Sequence, residues 1–338
     1  MRFNSQFYEI SSKVASMLKN VNNSLNFQVV FLNFIKKNAY LLVVLTTVFM
    51  LTACSDSSKT DRKDVQTILT GRLTVVVDES LEPIVEDQTA VFESTYVDAD
   101  ITLRNEPEKR AVNLLLNDSI NVAVLARKLT KEERSFFEAK KIIPREARFA
   151  IDGIALIANR NSTDSVVHVD DLINSLRGKP TAIETLVFDN PNSSTVRYLQ
   201  QLAGVDKLPD EGVYALSSNA DVIKYVDENT HAVGVIGINW IFQPDPDLKE
   251  YVEGVKVVGV KNQEGKEGDD AFYKPSQTNL ALGKYPLARD LYVINVQGIK
   301  ALGLGFSAFL TGERGQRIVL KSGLMPDSIP PREINIIE

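Results

Sequence analysis

The chain has one cysteine, Cys54, and two histidines, His168 and His231, in 338 residues. With no second thiol, no disulfide forms within the chain, and a folded body must be held by its core. One thiol and two distant histidines also give no His/Cys set with metal-ligand spacing. An excess of positive charge is missing too. The formal net charge is −6, and the segment before Cys54 carries more basic than acidic residues, so the remainder is more acidic still. Such a chain is a poor partner for nucleic acid, whose phosphate backbone needs a basic surface. No Walker loop, dinucleotide fingerprint or Gly-x-Ser-x-Gly elbow occurs. No apolar run reaches the roughly 20 residues of a membrane-spanning helix. These absences argue against an enzyme, and no cofactor or metal is implied.

What the sequence does have, ahead of Cys54, is Lys36-Lys37, an apolar run from Ala39 to Leu51, and small residues up to the cysteine. A basic n-region, a short h-region and a small-residue cleavage site make an export signal. Leu51-Thr-Ala-Cys54 resembles the lipobox of bacterial lipoproteins, which implies lipidation at Cys54 and a mature chain starting there. Residues 1–53 are therefore expected to be an N-terminal extension and lipoprotein signal peptide, and 54–70 a tether, polar from Ser55 to Lys63. The protein is expected to be exported and lipid-anchored to the cell envelope, facing the periplasm or the outside. Met1 to Ile35, polar and rich in Asn and Ser, does not read as an n-region and is set apart from the fold.

Beyond the tether, helical and strand signals alternate. Leu73–Val77 is a β-branched run that reads as a buried strand, and Pro83 opens an amphipathic helix. Ile101–Leu103 and Val122–Leu125 read as strands, with a helix starting at Pro107 between them. Thr130-Lys-Glu-Glu133 supplies a capping box. A long strand follows from Ala150 to Ala158, interrupted by Asp152-Gly153. Thr181–Val187, Ala232–Ile238 and Val255–Val260 read as strands. Ser193 begins a helix that Gly204 ends, and Asn219 caps another. Gly298–Leu310 and Gly315–Lys321 are two closing helices. This alternation predicts an α/β fold with sheets covered on both faces by helices. In such sheets ligands sit outside the carboxyl ends of the strands, where helix N-termini offer free N–H groups.

That places the chemistry in the loops after strands. Phe188-Asp-Asn-Pro-Asn-Ser-Ser-Thr195 follows a strand and opens a helix, so Ser193, Ser194 and Thr195 bring hydroxyls beside unpaired amides. The alternative is that Ser193 or Asn192 only caps the helix. Asp78-Glu-Ser80 presents Ser80 after the first strand, or is a simple cap and turn. Arg127 follows the strand Val122–Leu125, and either faces the same crevice or is a surface or half-pairing residue. If an anion binds, Ser80, Arg127, Ser193, Ser194 and Thr195 are its expected donors.

Several segments, in order, resemble the phosphate-binding lipoproteins and periplasmic proteins of ABC uptake systems. They are Arg127-Lys-Leu-Thr-Lys-Glu-Glu133, Asp152-Gly-Ile-Ala-Leu-Ile-Ala-Asn159, Asn192-Ser-Ser-Thr-Val-Arg197, Tyr285-Pro-Leu-Ala-Arg-Asp-Leu-Tyr292, and Phe309 to Pro326 with Gly315-Gln316 and Gly323-Leu-Met-Pro326. The resemblance implies a two-lobed periplasmic-binding-protein-like fold, each lobe a mixed or parallel sheet flanked by helices, joined by two crossover strands. Lobe 1 would be 71–151 with 285–338, and lobe 2 would be 152–284. It also implies a solute-binding lipoprotein that takes phosphate or a similar oxyanion, with an ABC permease as partner.

Two places depart from the family pattern. Phe188 and Asp189 stand where the family has an Arg ahead of its Ser-Gly-Thr loop. Asn105-Glu-Pro-Glu-Lys109, acidic and without serine, replaces a Gly/Ser-rich loop. Fewer donors and more carboxylates weaken a site for a dianion. Either Arg127 and the Ser193 helix compensate, or the ligand is not inorganic phosphate. Two other readings stay open: a ligand-poor surface interaction or sensory protein on the same fold, and a phosphatase-like hydrolase.

Overall fold

A computed structural model of the chain describes residues 66–298 and 300–328, together with 32, 33 and 36. Cys54, its apolar run and the tether up to 65 lie outside the described residues, as do 329–338. The chain divides into Met1–Thr60 and Asp61–Glu338. Of the first unit only Leu32, Asn33 and Lys36 are described, and they are helical. Every strand among the described residues belongs to the second unit. No helix among the described residues is long and apolar enough to cross a membrane.

Strand and helix alternate from the start of this second unit. β1 (Gly71–Asp78), β2 (Ala99–Glu106) and β3 (Val122–Leu125) are linked and followed by α1 (Glu82–Thr95), α2 (Glu108–Leu116) and α3 (Lys131–Ala139). β4 (Arg145–Asn159) then leads into β5 (Val166–His168), α4 (Val169–Leu176), β6 (Thr185–Phe188), α5 (Ser194–Ala203), β7 (Val213–Ala215) and α6 (Asn219–Glu228). β8 (Ala232–Gly237), α7 (Asn239–Phe242), α8 (Lys249–Gly254), β9 (Val255–Val257), β10 (Gly259–Lys261) and α9 (Gln277–Ala281) come next. β11 (Ala288–Asn295) returns, and α10 (Leu302–Thr311), α11 (Glu313–Lys321) and β12 (Met325–Pro326) close the unit.

One curled sheet runs through the whole unit in the order β2-β1-β3-β11-β4-β8-β6-β7. β1 lies between β2 and β3, parallel to both. Its Val75, Val76 and Val77 are buried on both faces, which is why the run reads as continuous rather than alternating. β6 is likewise parallel to β7 and β8. The joins are antiparallel: β11 against β3 and β4, and β4 against β8. β4 changes partner in mid-strand. Arg145 to Gly153 face β11, and Ile154 to Ala158 face β8. The Asp152-Gly153 interruption read in the sequence is thus the point where one strand passes from the first half of the sheet to the second.

Local signals place the helices. Thr130 and Glu133 form the reciprocal capping box that starts α3. Gly204 ends α5 with φ of 64°, a left-handed cap that only glycine adopts without a Cβ penalty. Three expectations shift. The α6 cap is Ser218, whose hydroxyl accepts from the Asp221 amide, and Asn219 is the first helical residue. The run Val255–Val260 divides, because β9 pairs with β4 while β10 pairs with β5 in a separate two-stranded sheet. The first closing helix starts at Leu302, not Gly298.

The largest apolar cluster takes residues from both halves, running from Val75, Ile84 and Phe92 to Val187, Val222 and Ile236. Phe92 sits in an aromatic nest, with ring centroids 4.8 Å from Tyr96, 5.5 Å from Phe306 and 5.3 Å from Phe309. Edge-to-face contacts of this kind add to area burial. Buried Gln316 ties α11 to β4 by donating to the carbonyls of Phe149 and Leu310, both at 2.8 Å. Phe92→Ala should lower the free energy of unfolding by roughly 3–5 kcal/mol, read from urea denaturation followed by circular dichroism.

Candidate functional site

The carboxyl ends of β1, β6 and β8 and the start of β11 converge where the two halves of the sheet meet. β1 ends at Asp78, and a single 3-10 turn, Glu79–Leu81, carries Ser80. β6 ends at Phe188, after which Asp189 to Ser193 lead into α5 with Ser194 and Thr195 in its first turn. β11 contributes Arg289, whose register partner on β4 is Asp152. Asp78, Ser80, Asp152, Asp189, Ser193, Ser194, Thr195 and Arg289 are buried, Arg289 at 5% exposure being the most open of them, while Pro191 and Asn192 are exposed.

Arg289 is the centre of the group. Its Nε donates to Asp152 Oδ2 at 2.9 Å, and Nη2 lies in ion-pair contact with the same oxygen at 2.8 Å. Nη1 donates to Ser194 Oγ at 2.8 Å and Thr195 Oγ1 at 3.4 Å, and Nη2 donates to Ser80 Oγ at 3.1 Å. Ser80 and Ser194 are themselves 3.1 Å apart, and the Ser80 hydroxyl donates to Asp78 Oδ1 at 3.0 Å. Hydroxyls from two remote loops therefore share one guanidinium. Trp240 of α7 closes the far side, donating its indole N–H to the Ser80 carbonyl at 3.0 Å. Gly237, just before α7, allows this approach: a Cβ there would stand 2.6 Å from Asn239 Oδ1 and 3.2 Å from the Ser80 carbonyl oxygen.

The expected donors divide on this geometry. Ser80, Ser194 and Thr195 meet at Arg289. Ser193 does not join them: it caps α5 by accepting from the Val196 amide and donates its hydroxyl to Asp189 Oδ1 at 2.6 Å. Arg127 is placed elsewhere. Its Nε donates to Glu108 at 3.0 Å, and its two terminal nitrogens donate to Glu133 at 2.7 and 2.8 Å. Glu108 and Glu133 take up the guanidinium that was expected to face a ligand, and the cation at the hydroxyls is Arg289. The sequence held one signal for it, a lone Arg in the apolar approach to a strand, Pro-Leu-Ala-Arg-Asp-Leu-Tyr-Val.

Acids crowd this cation. Burial works against the charge on Arg289, but Asp152, Asp78 and Asp189 outweigh it and raise its pKa. Burial lifts all three of those carboxyls above the usual range. Asp78 is pushed up to about 6, by burial first and then by the charge of Glu108, against the pull of Arg289. Asp78 Oδ2, Asp152 Oδ1, Asn219 Oδ1 and both polar atoms of the Asn239 amide are buried without a hydrogen-bond partner in the protein. Buried polar atoms are normally paired. The five atoms here leave acceptors and one donor unpaired within the protein.

The family model described as a PBP superfamily domain matches residues 57–314. The chain belongs to the PBP superfamily. The phosphate-binding protein PstS of Pseudomonas aeruginosa is 23% identical over 286 residues, covering 76% of this chain and 84% of that one. A phosphate ABC transporter substrate-binding protein from Clostridium perfringens, solved with bound phosphate, superposes with a TM-score of 0.62 at 19% identity, over 76% of this chain and all of that one. An ABC-type phosphate transport receptor from Vibrio cholerae gives 0.57 at 18% identity, again over 76% of this chain and all of that one. This α/β chain, with its curled mixed sheet and flanking helices, thus has the fold of those proteins.

The acidity of this PBP-superfamily cleft has a measurable consequence at Glu79. Burial, and then the charges of Asp189, Asp78, Glu82 and Glu106, push its carboxyl up to about 8 from an ordinary 4.5. The folded chain holds this proton more tightly than the unfolded chain does, so stability falls as pH rises through that window. Asp78 acts in the same sense between 3.8 and about 6. Melting curves should show the Tm of the wild type declining from about pH 5 to about pH 8, with Glu79→Gln removing part of the decline.

Proposed function

We propose that this chain is a solute-binding protein that closes its two halves on phosphate or a closely similar protonated oxyanion for ABC-type uptake. The observation that carries the reading is the meeting of Ser80 from one half with Ser194 and Thr195 from the other on the buried Arg289. Hydroxyls and a guanidinium are the donors a desolvated anion needs, and the first turn of α5 adds backbone N–H groups. The names of the Pseudomonas, Clostridium and Vibrio relatives support the same ligand class and an ABC permease as partner.

The acids narrow the choice. Asp78 Oδ2 and Asp152 Oδ1 have no partner, and an anion without protons would face them with lone pairs only. Hydrogen phosphate carries a P–OH that donates to such an acceptor. Sulfate at neutral pH carries none. The site therefore selects for protonated oxyanions by repelling the others. The halves that close are 71–151 with 285–338, and 152–284, hinged where β4 and β11 pass between them. Anchoring through a lipid on Cys54 completes the reading and places the site outside the cytoplasm.

Calorimetry should detect phosphate binding and at least about tenfold weaker sulfate binding. Ser194→Ala should weaken phosphate by roughly threefold to tenfold, the value of one neutral hydrogen bond, while Arg289→Met should cost a hundredfold or more, about two charged hydrogen bonds. Equal affinity for sulfate and phosphate, or a Ser194→Ala protein that binds as wild type, would overturn the assignment.

A further inference from the structure

Beside the hydroxyl group a second ionic group is closed on itself across the halves. Glu108, the first residue of α2, is 2% exposed. Its Oε1 accepts from Arg127 Nε at 3.0 Å and Arg197 Nε at 2.6 Å, and its Oε2 accepts from Arg197 Nη2 at 2.9 Å. Arg127 belongs to the first half, after β3. Arg197 belongs to α5 in the second half, one turn beyond Ser194. A guanidinium fork meets two oxygens of a carboxylate in the same plane and spacing that it would use on a ligand's carboxylate or phosphate. Two cations from opposite halves with one buried oxyanion between them is the arrangement by which a ligand holds a cleft shut. Here the oxyanion is part of the chain.

We propose that Glu108 is a resident anion: it fills an oxyanion site made by Arg127 and Arg197, holds the halves together without ligand, and must give way before that site takes a carboxylate or phosphate group from solution. Arg127, Arg197, Glu108 and Glu133 sum to zero charge. Without Glu108 the group carries one net positive charge on two arginines that are 19% and 23% exposed, with Glu133 and Gln201 as their remaining side-chain acceptors, a state that draws in an anion. Glu108 also bears on the neighbouring site, since its charge is among those that disfavour an ionised Asp78. An open groove of about 530 Å³ runs beside it, with Pro107 and Lys109 on one wall and Asn190 and Asn192 on the other. The proposal rests on the reading of the chain as a hinged oxyanion binder, but assigns a different pair of cations.

The test uses the full chain as wild type, Glu108→Ala, the near-isosteric Glu108→Gln as a second variant that keeps an acceptor oxygen, and Arg197→Met and Ser194→Ala in the Glu108→Ala background. Inorganic phosphate and sulfate are titrated calorimetrically. Closure is followed by small-angle scattering and by the emission of Trp240, the chain's single tryptophan, whose indole bonds to Ser80 across the halves. Without phosphate, Glu108→Gln should scatter as a more expanded chain than wild type and shift the emission. Glu108→Ala should bind sulfate and phosphate about tenfold or more tighter than wild type, a gain kept by Ser194→Ala and lost with Arg197→Met. No gain for either anion with unchanged scattering would overturn the proposal, as would a gain that Ser194→Ala abolishes, which would leave the phosphate reading intact. A wild type that binds no phosphate beside a Glu108→Ala protein that binds through Arg197 would uphold the resident anion and end the phosphate reading instead.

Discussion

Arg289 and Asp152 face each other on β11 and β4, at the point where β4 changes partner from β11 to β8. Both are buried, and one hydrogen bond from Nε and an ion-pair contact from Nη2 meet a single carboxylate oxygen. A buried ion pair costs desolvation on both sides, and removing either member leaves an uncompensated charge. The remaining polar contacts of the cleft depend on that fixed guanidinium. Ser80 comes to it from the turn after β1, Ser194 and Thr195 from the start of α5, and Trp240 locks the Ser80 carbonyl in place. The pair also fixes which face of the curled sheet carries the cleft, since it sets the register of the two strands that pass between the halves.

Around this cation the chain places more negative charge than it neutralises. Asp78, Asp152 and Asp189 act on Arg289 directly, and Glu79 and Glu108 act on Asp78 or its neighbours. Burial raises the pKa of these three aspartates and of Glu79. The Glu108 group resolves the same excess differently, by pairing one carboxylate with arginines from both sides of the cleft. The two groups share α5: Ser194 and Thr195 of its first turn serve one, and Arg197 serves the other. α5 therefore supports both groups at once.

Much of the fold was legible. The β-branched run of β1, the capping box of α3 and the glycine ending α5 are local signals, and each sets its element without help from distant residues. The joins were less so. Antiparallel pairing at β4 and β11 depends on two segments more than a hundred residues apart, and only the family resemblance over Tyr285–Tyr292, not periodicity, pointed to the return strand. In the site, the hydroxyls were legible as loop residues after strands. Ser193 was not separable from its neighbours by sequence, because a cap and a ligand donor have the same residue type at the same place. Arg127 misled for a related reason. A cation after a strand end points toward the cleft, but whether a carboxylate already holds it depends on Glu108 and Glu133.

By itself the sequence determined the alternation of strand and helix, the lack of a thiol pair and of neighbouring histidines, and the loops in which polar groups collect. These rest on periodicity, composition and caps, which act over a few residues. The tertiary structure decided which arginine stands among the hydroxyls and which is bound by glutamates. That choice is made by charge pairing in a buried space, where Coulomb energy and desolvation depend on distances between segments far apart in the chain.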